Sequence, residues 1–286
     1  MSSHFPLARL AVLGTGLIGG SVARAAHRLR LCRELALYSR GEEREVVTAA
    51  GIADVVTEDP IEAVRQADLV VIALPIAAMG PVLRTVRDSL DSKAVVTDTA
   101  SVKLPAMRLF QENLDGRVRW VGSHPMSGGE RSGFSFARSN LFEGAVSILT
   151  PPENPDGEAL ALVETLWLSL GCRIVRLSAL EHDRRVAAVS HLPHLLAAAL
   201  IRSVDCDALD LAGPGFRDVT RIAAASPEMW QEILLANREN VLAALRSFLT
   251  HLDEASVSLQ TETGAALKQF LLEASERRQS FEKFPS

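Results

Sequence analysis

The short apolar run Leu10-Ala-Val-Leu13 ends on Gly14-Thr-Gly16-Leu17-Ile18-Gly19-Gly20-Ser21, and a helical stretch from Val22 to Leu29 follows at once. A strand that breaks into a glycine turn and restarts as a helix has few structural solutions. Gly14 permits the tight turn, Gly16 lets a pyrophosphate approach the backbone, and Gly19 lets helix and strand pack closely. The helix start then offers free N–H groups and a partial positive charge to an anion. G-x-G-x-x-G alone is weak evidence, but the order strand, turn, helix gives it the context of a dinucleotide site. Gly14, Gly16, Leu17, Ile18 and Gly19 are therefore candidate cofactor-binding residues.

The pattern continues through residue 178. Apolar runs at 35–38, 67–74, 94–98, 120–122, 145–149 and 173–177 lack clean alternation, as strands buried on both faces of a parallel sheet do. After about residue 179 these runs stop. Ile233, Leu234, Val241, Leu242, Leu245, Phe248, Leu249 and Leu252 recur at helical spacing. Ser226-Pro227 predicts a helix start, Gly213-Pro-Gly215 a loop, and Pro193 a kink. The polar segment from Glu276 to Ser286 is expected to fray. The expected fold is α/β: an N-terminal doubly wound Rossmann-type sheet over residues 1–178, followed by an all-helical C-terminal domain over 179–286. A length of 286 residues fits two such domains.

Composition narrows the function. Thirty Lys and Arg against 35 Asp and Glu give a net charge of -5, which argues against a dedicated nucleic-acid binder. No run approaches the roughly 18 apolar residues of a membrane helix, and the N-terminus lacks the charged region of a secretory signal. Cys32, Cys172 and Cys206 are widely spaced, which fits a reduced, cytoplasmic setting and small buried apolar roles. No metal is expected: His124, His191 and His194 come without H-E-x-x-H or a cysteine at ligand spacing.

The second strand bears on the cofactor. NAD sites place a carboxylate at its end for the ribose hydroxyls. Here the strand ends Leu37-Tyr38-Ser39-Arg40-Gly41. Ser39 can donate to a 2′-phosphate, and Arg40 can pair with it. NADP is therefore favoured over NAD, the alternative being a solvated Arg40 with Glu42 or Glu43 at the ribose.

Four further segments are dense in polar residues: Asp98-Thr-Ala-Ser101-Val-Lys103, Gly122-Ser-His124-Pro-Met-Ser-Gly-Gly-Glu130, His182-Asp183 with Ser190-His191-Leu-Pro193-His194, and Gly215-Phe-Arg217-Asp218-Val-Thr-Arg221. With the glycine loop, these resemble the prephenate/arogenate (cyclohexadienyl) dehydrogenase family, in order, from about Ala8 to about Leu252. The resemblance implies an NAD(P)-dependent oxidative decarboxylation in tyrosine biosynthesis, of prephenate to 4-hydroxyphenylpyruvate or of arogenate to tyrosine. It implies His124 as the base, a role suited to imidazole, and Ser101 as its hydrogen-bonding companion or, on its own residues, a helix N-cap. By the same likeness Arg221 binds a substrate carboxylate, His194 contacts substrate, and Glu130 gates the pocket mouth. Arg217 is a weaker substrate-binding candidate, and Lys103 a phosphate contact, a substrate contact or a surface charge. A homodimer through the helical domain is implied, and a monofunctional enzyme without a fused mutase or regulatory domain is expected. A different reductase of the same architecture would need a catalytic lysine in the helical half, and none stands between Glu181 and Gly264. A non-catalytic NADP-binding regulator would not need His124, Ser101 and Arg221 together.

Overall fold

A computed structural model describes residues 5–129, 131–260 and 264–282. The strands are β1 (Leu7–Leu13), β2 (Cys32–Tyr38), β3 (Val55–Thr57), β4 (Leu69–Ile72), β5 (Val95–Asp98), β6 (Arg119–Pro125), β7 (Val146–Thr150) and β8 (Arg173–Arg176). Between them run α1 (Leu17–Leu29), α2 (Glu42–Ala49), α3 (Pro60–Val64), α4 (Ile76–Val86), α5 (Lys103–Leu114) and α6 (Gly157–Ser169). The later helices are α7 (Ala179–Val186), α8 (Leu192–Arg202), α9 (Cys206–Leu209), α10 (Pro214–Thr220), α11 (Pro227–Ala236), α12 (Arg238–Leu259) and α13 (Ala265–Glu282).

The strands form one sheet in the order β3-β2-β1-β4-β5-β6-β7-β8. Apolar residues on its two faces make two separate buried clusters, so helices cover both sides, as a doubly wound sheet requires. The chain reverses direction of travel between β1 and β4, and ligands of such sheets bind at that switch point. Gly14 sits there with φ +98°, and a Cβ on it would lie 2.4 Å from the Ala73 carbonyl oxygen. Only glycine fits both the conformation and the space.

Several sequence expectations need correction. β3 has three residues, too few to show as an apolar run. β7 pairs antiparallel with β6, so the sheet is not wholly parallel. His124 lies within β6 rather than after it. Gly213-Pro214 starts a helix instead of a loop, with Pro at the first position where its missing N–H costs nothing. The apolar periodicity after Met229 is broken at Asn237 into α11 and α12. The helix α13 runs on to Glu282, past the expected fraying point. Cys206 is exposed, Cys32 half-buried and only Cys172 buried. The disturbance expected at Pro193 is a π-turn over Ala187–His191 that leads into α8, a feature that accommodates irregular backbone and recurs at functional sites.

Candidate active site

The glycine loop has the shape a dinucleotide needs. A Cβ on Gly19 would lie 1.9 Å from the Gly14 carbonyl oxygen, so helix and strand are in direct contact there. A Cβ on Gly16 would meet nothing within 4 Å, which leaves the approach to the backbone open. The first N–H groups of α1 have no intrahelical partners, no side chain caps them, and the first turn carries no acidic residue. Leu17 and Ile18 supply those N–H groups. The residues therefore fit a pyrophosphate. At the end of β2, Ser39 is buried and its hydroxyl lies 2.6 Å from that of Thr15. The two hydroxyls carry two protons and use one between them. Arg40 is exposed, with its guanidinium 5.9 Å from the Tyr38 ring centre. Glu43 accepts a hydrogen bond from the Phe134 backbone, so it is tied to the segment after β6 rather than free at the ribose.

The end of β5 and the start of α5 are locked by a buried ion pair. Lys103 is wholly buried, bonded through Nζ to Asp98 and, at 2.5 Å, to the Ser123 carbonyl oxygen. Burial pushes its pKa down and Asp98 pulls it back up. Lys103 is thus neither a surface charge nor a ligand contact in this arrangement. It clamps β5 against β6 one residue before His124. Ser101 is half-buried and makes no hydrogen bond to His124. It is not the N-cap of α5 either, because that position is Val102. Asp183 of α7 caps α5 instead: its carboxylate accepts from Lys103 N at 2.7 Å and from Leu104 N at 2.9 Å. A carboxylate at a helix N-terminus is favoured by the helix dipole.

That carboxylate also fixes two histidines. Asp183 Oδ1 accepts from His182 Nδ1 at 2.7 Å, so the proton of neutral His182 is on Nδ1 and its Nε2 is an acceptor. His124 Nδ1 lies 2.8 Å from His182 Nε2 and must therefore donate. The lone pair of His124 is left on Nε2, and no group among the described residues is bonded to it. His124 is nearly buried, and burial above all, then His182 and Lys103, pushes its pKa well below the ordinary value. The ring is neutral near pH 7, with a lone pair available on a known nitrogen.

The helical residues form a second group. His194 stacks on Trp230 with ring centres 3.4 Å apart. Burial lowers its pKa to about 4, a backbone hydrogen bond at Ile222 opposes this, and Arg221 repels its charged form. Arg221 therefore lies close enough to His194 for their charges to interact. Arg221 is exposed on the short turn after α10. Arg217 is exposed and donates to the Ala212 carbonyl oxygen at 3.2 Å, which turns it toward its own loop. Glu130 lies outside the described residues. The parts played by Asp183 and His182 are not readable from the sequence, because a carboxylate that caps a distant helix leaves no local pattern. The pair His182-Asp183 was visible as a motif but not as a relay.

Comparison with known proteins identifies the family. The prephenate dehydrogenase nucleotide-binding domain model matches residues 22–176, and the prephenate dehydrogenase dimerization domain model matches residues 178–273. The chain belongs to the prephenate dehydrogenase family. It is 34% identical to the cyclohexadienyl dehydrogenase of Zymomonas mobilis, over 94% of each chain. It resembles the prephenate dehydrogenase of Aquifex aeolicus, solved with hydroxyphenyl propionate and NAD+, at TM-score 0.87 and 31% identity over 96% of this chain and 98% of that one. It also resembles the arogenate dehydrogenase of Synechocystis at TM-score 0.81 and 30% identity, over 96% and 99%. The chain is an oxidoreductase of this family with a nicotinamide-nucleotide domain. Among the described residues no helix is long and apolar enough to cross a membrane, and no group of His, Cys, Asp and Glu could hold a metal ion.

Proposed function

We propose that this chain oxidatively decarboxylates prephenate to 4-hydroxyphenylpyruvate, with NADP preferred over NAD. The observation that carries the reading is the direction of the hydrogen bonds from Asp183 through His182 to His124, which leaves Nε2 of His124 as a base. The ring hydroxyl of the substrate gives its proton to that nitrogen. The carbinol C–H leaves as hydride, the ring carboxylate departs as carbon dioxide with its bonding electrons left in the ring, and the aromatic phenolate takes its proton back from His124. A bound nicotinamide supplies the hydride acceptor. As His124 gains its proton, the positive charge is shared through His182 toward the Asp183 carboxylate, which also caps α5. Ser101, at the foot of α5, joins the substrate hydroxyl once substrate is bound.

Arg221 and His194 hold a substrate carboxylate in this reading, with Arg217 as a weaker contact and Glu130 at the mouth. A bidentate guanidinium suits a carboxylate. Gly14, Gly16, Leu17, Ile18 and Gly19 take the pyrophosphate, and Ser39 with Arg40 takes the 2′-phosphate. Residues 1–178 form the nucleotide domain and residues 179–286 the helical substrate domain, which pairs two chains into a homodimer in the reducing cytoplasm. The exposed Leu242, Leu249 and Leu252 on α12 support that pairing. The likeness to an arogenate dehydrogenase supports a second reading, in which arogenate is oxidised to tyrosine. Side-by-side kcat/KM for prephenate and arogenate, each with NADP and NAD, tests both. Turnover is expected to be best with prephenate and NADP. No turnover with either substrate would eliminate the proposal.

A further inference from the structure

Asn237 stands at the break between α11 and α12 and is almost wholly buried. Its side-chain orientation is fixed from both ends. Asn240 Nδ2 donates to Asn237 Oδ1 at 2.8 Å, which makes that atom the oxygen. Asn237 Nδ2 gives one hydrogen to the Asp183 carbonyl oxygen at 2.7 Å and lies 3.1 Å from His191 Nδ1. The second amide hydrogen therefore points at His191 Nδ1, which has to accept it. An imidazole that accepts at Nδ1 carries its proton on Nε2. Protonating His191 would set two N–H groups against each other at 3.1 Å. The Nε2–H is buried without a partner among the described residues, beside the Trp230 ring at 6.0 Å between centres. The arrangement leaves one donor unmet and keeps the ring uncharged.

The charge on this ring matters to its neighbours. His182 and Asp183 face it from α7, His124 from β6 and His194 from its own helix, and a positive His191 disfavours the charged form of His124. His124 must become positive for the proposed reaction to proceed. We propose that Asn237 is a positioning residue that holds His191 as the neutral Nε2–H tautomer and so keeps a second positive charge away from the relay while His124 takes up its proton. This rests on the reading of His124 as the base. Burial already moves His191 down to about 4, in the same direction as the geometry.

The direct test is histidine-¹⁵N NMR of the wild-type enzyme, with His191 assigned by the spectrum of His191→Gln. The expected result is a neutral Nε2–H imidazole that does not titrate between pH 7.5 and 5. An Nδ1–H tautomer, or titration near the ordinary histidine value of about 6.5, would overturn the proposal. The kinetic arm uses Asn237→Ala, with Asn237→Ser as the milder variant. Either is expected to bring an acid limb into kcat at a higher pH than in the wild-type enzyme, with about tenfold loss per unit below it, and His191→Gln in the same background is expected to remove that limb. A uniform fall in kcat at every pH, with no new limb, would mean that Asn237 is structural only and would also overturn the proposal. The NMR arm needs no substrate, so a wild-type chain inactive on both cyclohexadienes would sink the reaction assigned above and leave the tautomer test standing.

Discussion

The two halves of the chain reach stability by different routes. The sheet half closes its own core: Leu10, Leu13, Leu37, Leu69 and Ile72 on the strands are buried to 1% exposure or less, and Trp167 meets Phe142 edge-on at 5.4 Å beneath α6. The later helices do not. Among the described residues, α9 and α10 bury nothing, α11 buries only Ile233 and α12 only Val241. Leu252, Val257, Leu259 and Leu271 all stay more than half exposed. Contiguous exposed apolar surface marks interaction sites, and the matched dimerization-domain model covers these helices. The sheet half buries its own apolar side chains, whereas the helical half, which matches the family's dimerization domain, leaves many of its own exposed. The candidate site lies where they meet, with His124 on β6 and the His182-Asp183 pair on α7.

The largest effect expected is loss of the proposed dimer. Leu249→Glu with Leu252→Glu removes two apolar side chains, at about 1.5–3 kcal/mol each when fully buried, and adds like charges across the interface. Light scattering should show a monomer, and hydrogen exchange should quicken from α9 onward while the sheet stays protected. A variant that stays dimeric would place the interface elsewhere.

Within the sheet half, Trp167→Ala should cost about 3–5 kcal/mol in denaturant unfolding, with the same oligomeric state in native buffer. A much smaller cost would mean that this core is less self-sufficient than its burial suggests.

Acid should weaken the junction before it weakens the sheet. His124, His182 and His191 are buried in neutral form, with pKa values below those they have unfolded. The unfolded chain therefore binds more protons between the folded values and about 6.5. Their contribution is fully present above about pH 6.5 and declines as pH falls toward 4, where His191 itself protonates. Melting should fall by several degrees from pH 7 to pH 5. An unchanged melting temperature would show that these rings are not buried neutral.

The smallest effect concerns cofactor choice, which belongs to the sheet half alone. Arg40→Ala should raise KM for NADP by about tenfold, the scale of one charged hydrogen bond, and leave KM for NAD near its starting value. Equal KM changes for both cofactors would return the ribose to another group.

Much of the sheet half was legible because its signals are local. A strand, a glycine turn and a helix start lie within twenty residues, and buried parallel strands announce themselves as apolar runs. The helical half was legible as helices but not as an arrangement, since periodicity says which face is apolar and not what covers it. His124 and Arg221 could be picked out only through motifs. The hydrogen bonds that give His124 its direction link residues 58 positions apart to one another and to a helix terminus 79 positions away. No spacing rule reaches that far. Lys103 shows the limit most plainly, because its sequence neighbours suggest a ligand contact while the fold encloses it completely.

The most direct test of the account is steady-state kinetics of His124→Asn beside wild type, with prephenate and NADP and with carbon dioxide measured alongside reduced nicotinamide. The expected result is a fall in kcat of about 10²-fold or more, the usual scale of a general base, with KM little changed. A variant with wild-type kcat would contradict it, because the proton would then have another destination.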